Sequence, residues 1–215
     1  TDLGSGFKIA MRDLEIRGAG NLLGVRQHGH MEAVGYDLYC KMLNEAVQTL
    51  KGVTVAADFA TLIDLDVDAY IPDTYIVNEV QKLDIYKRIA GIENSKERDD
   101  MKDELLDRFG EIPRAVDNLL RIALIRVAAH GLYMTEIKGK NERIAFTFRP
   151  DAAIDPAGIP EILGKYGQSL IFTAYGNPFF TYKYKKTGLV ETDAELLLSK
   201  TEELLEEFKG VLLPL

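Results

Sequence analysis

The chain has 215 residues, 47% of them apolar, and a formal net charge of −8. This is enough apolar material for one large domain or two small ones, and no apolar run reaches the roughly eighteen residues of a membrane span, so we expect a soluble protein. The acidic balance argues against a surface coated for nucleic-acid binding, and the single cysteine, Cys40, fits a cytoplasmic location.

The start of the chain differs in charge from the remainder. Residues 1–52 hold six basic and six acidic side chains, so the whole net charge of −8 falls on residues 53–215. Apolar residues at helical spacing predict a helix over 36–51, ended by Gly52, and small and polar residues at 53–61 are typical of a linker. We therefore predict two parts, 1–52 and 53–215. The chain has no signal peptide. Because it lacks an initiator Met and its densest motif begins within a few residues of the start, we expect it to be a piece of a longer protein.

The second part opens with strict alternation of apolar and acidic residues, which predicts a strand over 63–69. Its acidic face carries Asp64, Asp66 and Asp68, which resemble the first ligands of a calcium loop. Ala69 stands where that loop needs glycine and Tyr75 where it needs glutamate, so we interpret these residues as a solvated strand face.

Three helices are predicted next, over about 75–90, 94–109 and 113–131. In the first, Val80, Leu83, Tyr86 and Lys87 share a face. Asn94 and Glu97 have the spacing of a capping box, and Gly110 and Gly131 end the second and third helices.

The last third predicts two hairpins and two further helices. One hairpin pairs 134–138 with 143–148 around Gly139-Lys140-Asn141, and the other pairs 169–175 with 179–185 around Gly176 and Pro178. Helices are expected near 159–166 and 192–209. Since no regular βαβ alternation occurs, the fold class is α+β: an N-terminal helical segment followed by a compact domain of helices packed on small antiparallel sheets or hairpins.

Two charged runs leave alternatives open. Tyr182-Lys183-Tyr184-Lys185-Lys186 could stack on bases and touch phosphates, or it could be an edge strand protected by lysines. The acidic run from Glu191 to Glu207 is either a solvated helix face or a docking face for a partner of opposite charge.

Catalytic and metal-binding patterns are not evident. The glycines of Gly18-Ala19-Gly20-Asn21-Leu22-Leu23-Gly24 are wrongly spaced for dinucleotide binding, and His28 and His30 do not have the spacing of a zinc site. No phosphate-binding loop is present, so we expect no catalytic residue, no metal and no cofactor in this chain, and no ATP hydrolysis by residues 1–215.

Residues 7–29 resemble the translocation motif shared by RecG-type helicases and bacterial transcription-repair coupling factors. The resemblance is carried by Phe7, Ala10, Arg12 through Gly18, Gly20, Leu22, Leu23, Gly24, Gln27 and Gly29. Later segments resemble the C-terminal domain of the coupling factors and not RecG, which ends soon after the motif. These segments are Val34 to Tyr39, Ile71-Pro72-Asp73, Leu83 to Ile89, and Glu104 to Gly110 with Pro113.

The resemblance implies the C-terminal part of an ATP-dependent translocase on double-stranded DNA, which displaces stalled RNA polymerase and recruits the excision-repair protein UvrA. ATP and Mg would bind elsewhere in the longer protein. Residues 1–52 would form the end of its second motor domain, and residues 53–215 would mask its UvrA-binding module. No membrane is implied, and the location is the bacterial cytoplasm.

The motif residues have chemistry suited to coupling. Arginines offer always-charged forked donors, and a glutamine both donates and accepts, so we expect Arg12 and Arg17 to couple the ATP site to DNA and Gln27 to act in a switch loop. The expected hinges are Gly18, Gly20, Gly24 and Gly29. The alternative for the arginines is ion pairing with Asp13 or Glu15. The alternative for the whole chain is a free-standing protein-interaction module, or a nucleic-acid binder that uses Lys183 to Lys186.

Overall fold

The computed structural model describes residues 59–212, which hold five α-helices and five β-strands. The helices are α1 (Glu79–Ala90), α2 (Ser95–Phe109), α3 (Arg114–Gly131), α4 (Gly158–Tyr166) and α5 (Val190–Phe208). The strands are β1 (Leu62–Leu65), β2 (Met134–Lys140), β3 (Arg143–Phe148), β4 (Leu170–Thr173) and β5 (Phe179–Lys183). The α+β class is confirmed. The predicted helix 36–51 and the division after residue 52 lie outside the described residues.

All five strands form one mixed sheet in the order β1-β2-β3-β5-β4, with β1 parallel to β2 and the other pairs antiparallel. The predicted antiparallel hairpins are thus parts of a single sheet, to which β1 adds a parallel strand. The two predicted hairpins exist, but β3 pairs with β5 and joins them. Alternation along each strand shows which face is buried but not which strands are neighbours.

The helices lie on one face of this sheet. Helix α3 contacts β1 and β2, α4 contacts β4, and α5 packs beside α3, while α1 and α2 pack on α3 as an outer layer. The covered face supplies the core with Ile63, Leu65, Ile137, Ile144, Phe146, Phe148, Leu170 and Phe180.

Helix α5 is fixed to the sheet at two places. Near its C-terminus, the Phe208 ring lies 5.0 Å from that of Phe146 and 4.8 Å from that of Phe180, measured between centroids. Near its middle, Leu197 approaches Gly139 of β2 so closely that a Cβ there would lie 2.9 Å from a Leu197 Cδ. Gly139 pairs with Leu65 of β1 and Ile144 of β3, so it belongs to the strand and not to the predicted turn.

The first hairpin turns instead at Asn141 and Glu142, whose φ angles are 53° and 58°. Positive φ at both central residues is the geometry that suits the twist of a two-residue hairpin.

Two further boundaries differ from the predictions. The alternating burial of Ile63, Leu65, Val67 and Ala69 is as predicted. Pairing nevertheless stops at Leu65, because the partner strand β2 turns away just beyond Gly139.

Helix α1 begins at Glu79 rather than near 75, since Asn78 caps it and residues 72–75 form a turn. Its buried side chains are Lys82, Ile85 and Ile89, so the predicted face with Val80 is wrong; Val80 is 75% exposed.

The capping box at the start of α2 is confirmed. The Asn94 side chain accepts a hydrogen bond from Glu97 N at 3.0 Å, and the Glu97 carboxylate accepts one from Glu93 N at 2.8 Å. Across residues 59–212, no helix combines the length and apolar character that crossing a membrane requires.

A pair of glycines in α4 tests the packing of this helix. A Cβ at Gly158 would lie 2.8 Å from the Gly210 carbonyl oxygen, whereas a Cβ at Gly164 meets nothing within 4 Å. We expect Gly158→Ala to lower the free energy of unfolding by about 1–3 kcal/mol, because backbone must move. Gly164→Ala, the matched control, should raise it by about 0.4–1 kcal/mol. Urea denaturation measures both, and equal effects of the two substitutions would contradict this packing.

Candidate functional site

The site residues predicted for coupling, Arg12, Arg17 and Gln27, and the hinge glycines Gly18, Gly20, Gly24 and Gly29 lie outside the described residues. They stay predictions. The described part of the chain offers charged surfaces instead, and its ion pairs decide which of those charges are available to a partner.

The acidic helix α5 is tied to its own domain. Arg121 of α3 donates to Glu195 at 2.7 Å and to Glu202 at 2.8 Å, and Arg114 donates to Glu191 at 2.6 Å. The hydrogen bond to Glu202 is the largest cause of a raised pKa at the Arg121 guanidinium.

The other carboxylates of α5 also have internal partners. Lys165 of α4 pairs with Glu207 at 2.5 Å, and the Tyr166 hydroxyl donates to Glu203 at 2.7 Å. Asp193 accepts from the backbone N–H of Thr187 and of Gly188. Most of this acidic run therefore holds α5 against α3 and α4.

Helix α2 carries acidic side chains of a different kind. Asp100, Asp103 and Asp107 are exposed, at spacings that place them on one stripe opposite the buried Met101 and Leu105. We call these three residues the acidic stripe. None of them forms an ion pair with another residue in the described range.

The acidic stripe is costly for the isolated helix. Like charges three and four residues apart repel, and Asp107 lies in the last turn, where the helix dipole disfavours an anion. Leu106, exposed by 55%, lies next to the stripe. Helix stability does not account for this arrangement. A partner of opposite charge, with Leu106 as an apolar contact beside the aspartates, would account for it.

Neighbouring helices hold α2 in place. Glu104 accepts hydrogen bonds from Arg88 of α1 and from Arg108, and Lys102 donates to Asp117 of α3 at 2.6 Å. The hydrogen bonds from Arg88, then from Arg108, lower the pKa of Glu104 to about 2. The Tyr75 hydroxyl donates to the Leu105 carbonyl at 3.1 Å. The stripe thus sits on a positioned helix.

The lowered pKa of Glu104 predicts a pH dependence of stability. Because the folded-state pKa lies below the ordinary value of 4.5, the stabilisation is complete above that value and is lost as the pH falls towards 2. Glu104→Gln should remove about 1 kcal/mol at pH 7 and flatten the pH profile of unfolding between pH 5 and 2.

Urea denaturation at a series of pH values measures this slope. Glu111→Gln, which neutralises an exposed carboxylate beyond the end of α2, is the matched control and should keep the slope of the unchanged chain. A Glu104→Gln slope equal to that of the control would show that the pair with Arg88 does not stabilise the fold.

Lys183 of the lysine-rich segment lies on the open face of the sheet, whereas Tyr182 and Tyr184 pack against the core. Strand β5 is between β3 and β4, so the interpretation of 182–186 as a protected edge strand is wrong. Arg143 lies directly opposite Lys140 on one side and Lys183 on the other. These three cations, which we call the basic row, cross three neighbouring strands.

The aspartates of the first strand segment pair with nearby lysines. Asp64 lies 3.1 Å from Lys140 Nζ, and Asp66 accepts from Lys186 at 2.9 Å. Residues 59–212 include no group of three or more His, Cys, Asp or Glu side chains arranged to hold a metal ion.

Sequence reasoning missed the acidic stripe and the basic row for different reasons. The i, i+3, i+7 spacing of the stripe is visible in the sequence, but whether these aspartates have ion-pair partners is not. The basic row joins residues 43 positions apart, and only strand order brings them together.

Comparisons with known proteins agree on one family. The model of the TRCF domain family matches residues 65–159. The transcription-repair-coupling factor of Bacillus subtilis is 44% identical over 173 residues, which are 79% of this chain and 15% of that protein. That of Staphylococcus haemolyticus is 40% identical over 211 residues, 97% of this chain and 17% of the relative. The chain thus spans under a fifth of the length of these curated relatives.

A solved structure shares the fold. The crystal structure of the C-terminal domain of transcription-repair coupling factor has a TM-score of 0.56 and 24% sequence identity, and the match covers 70% of this chain and 96% of that one.

Proposed function

The chain belongs to the transcription-repair-coupling factor family, and we propose that it is the C-terminal part of an ATP-dependent translocase on double-stranded DNA. That translocase couples transcription to nucleotide-excision repair by displacing stalled RNA polymerase and recruiting UvrA in the bacterial cytoplasm. The support is the 40–44% identity to coupling factors and the shared fold of their C-terminal domain. ATP and Mg bind in another part of the longer protein.

Residues 53–215, in this proposal, mask the UvrA-binding module of the same longer protein until the motor engages. The observation that carries the proposal is the acidic stripe: three exposed, unpaired aspartates on a helix that ion pairs hold in place. Because α5 uses its carboxylates internally, α2 is the better docking face. A basic surface on the module would replace the repulsion within the stripe by attraction.

Neutralising the stripe tests this docking face. We expect the triple variant Asp100→Asn, Asp103→Asn, Asp107→Asn to bind the separately expressed UvrA-binding module about tenfold more weakly than the unchanged chain. The measurement is a calorimetric titration of residues 1–215, at low and high salt, since exposed ion pairs are screened.

The matched control removes three negative charges elsewhere, by Asp68→Asn, Glu161→Gln and Glu206→Gln. It should bind like the unchanged chain and release the module on addition of UvrA. Equally weakened binding in both triple variants would show that the docking face does not lie on α2. Failure of the unchanged chain to bind at any salt concentration would remove the masking role.

Residues 1–52 have a separate role in this proposal. Arg12 and Arg17 couple nucleotide hydrolysis to DNA movement, with Gln27 in the switch loop. In the full-length protein, Arg12→Ala should leave ATP turnover measurable. It should reduce the rate at which the protein displaces the third strand of a DNA triplex, which reports movement along duplex DNA, at least about tenfold. Lys41→Ala, outside the motif, is the control, and equal displacement by both variants would contradict coupling through Arg12.

A further inference from the structure

The open face of the sheet carries more basic than acidic residues, although the chain as a whole is acidic. The chain carries −8 overall, yet this face holds four exposed or half-exposed cations, Lys138, Lys140, Arg143 and Lys183. The acidic residues of the paired strands on this face are Asp64 and Glu136, and Asp66, just beyond β1, is paired with Lys186. Three of the four form the basic row. At about 4.8 Å per strand, the row extends about 10 Å across β2, β3 and β5.

Two members of the basic row lack an internal counter-charge. Lys140 pairs with Asp64, but Arg143 and Lys183 are exposed and make no ion pair with the residues that the structure describes. Glu142, the nearest acid in sequence, is turned to the backbone N–H of Lys186, which it binds at 2.8 Å. Like charges directly opposite on neighbouring strands are destabilising, so the pair needs an external anion to be favourable.

The open face carries short side chains beside the basic row. Ala145 of β3 is opposite Thr181 of β5, which is opposite Ile171 of β4. Ile171 is 42% exposed and offers an apolar contact. Short side chains here leave room for an extended segment to lie flat on the strands.

We propose that this open face binds an extended acidic segment of a partner protein, whose carboxylates meet Arg143 and Lys183. In such a segment, alternate residues point to the same side about 7 Å apart, so two carboxylates fit within the row. The proposal is independent of the masking role, which uses α2 on the opposite side of the domain.

Nucleic acid fits this face less well. Non-specific binding to duplex DNA needs several phosphate contacts, and a chain of charge −8 offers few unpaired cations in one place. Single strands are held by bases stacked on aromatic rings. The aromatic residue on this face, Phe179, is only half-exposed and lies four residues along β5 from Lys183.

The test uses residues 1–215 and a ten-residue peptide of alternating Asp and Val, with a peptide carrying Asn for Asp as its control. We expect saturable binding of the acidic peptide that weakens with added salt. The double variant Arg143→Gln, Lys183→Gln should bind it about tenfold more weakly. The matched control Lys87→Gln, Lys96→Gln removes the same charge from α1 and α2 and should leave binding unchanged.

Thermal melting of both double variants checks their folds, and the Arg143/Lys183 variant should melt at or above the temperature of the unchanged chain, because a repulsion is removed. Equal weakening in the two variants, or no binding at millimolar peptide, would overturn the proposal. Tighter binding of a 20-base-pair duplex that is lost in the Arg143/Lys183 variant would also overturn it, by assigning the basic row to phosphates.

Discussion

The packing of α5 across the sheet is the constraint on which the rest of the described domain depends. Phe208 closes an aromatic cluster with Phe146 and Phe180, which belong to the two hairpins. Leu197 lies against Gly139 of β2, where an added Cβ would lie 2.9 Å from a Leu197 Cδ. One helix thus holds together strands distant in sequence, and burial of these apolar side chains is a main stabilising contribution. Every helix of residues 59–212 lies on that side, so no described helix covers the opposite face of the sheet.

The surface charge follows from this arrangement. Because α5 lies between α3 and α4, its carboxylates form ion pairs with Arg114, Arg121 and Lys165. The most acidic run of the chain therefore stabilises the packing of α5. In the outer layer, Asp100, Asp103 and Asp107 of α2 form no ion pair with the described residues. The unpaired cations Arg143 and Lys183 lie on the face that no described helix covers. The net charge of the chain does not distinguish the paired carboxylates of α5, the unpaired aspartates of α2 and the unpaired cations on the sheet.

Membership of the coupling-factor family gives the two surfaces a context. In the proposed function, the domain contacts other parts of a longer protein, and opposed surfaces of opposite sign allow two such contacts at once. The acidic stripe suits a basic module within the same protein, and the basic row suits an acidic segment.

The sequence alone determined the local elements and the family. The capping box at Asn94, the ends of α2 and α3, and the alternating burial from Ile63 to Ala69 depend on residues close in the chain, whose preferences are local. The motif at residues 7–29 indicated RecG-type helicases or coupling factors, and later segments such as Ile71-Pro72-Asp73 selected the coupling factors. Only the tertiary structure decided that the two hairpins form one sheet, that Gly139 lies under a helix, and that Lys183 faces Arg143. Strand order and helix packing are set by contacts between distant residues, and a periodic pattern specifies which side is buried but not what covers it.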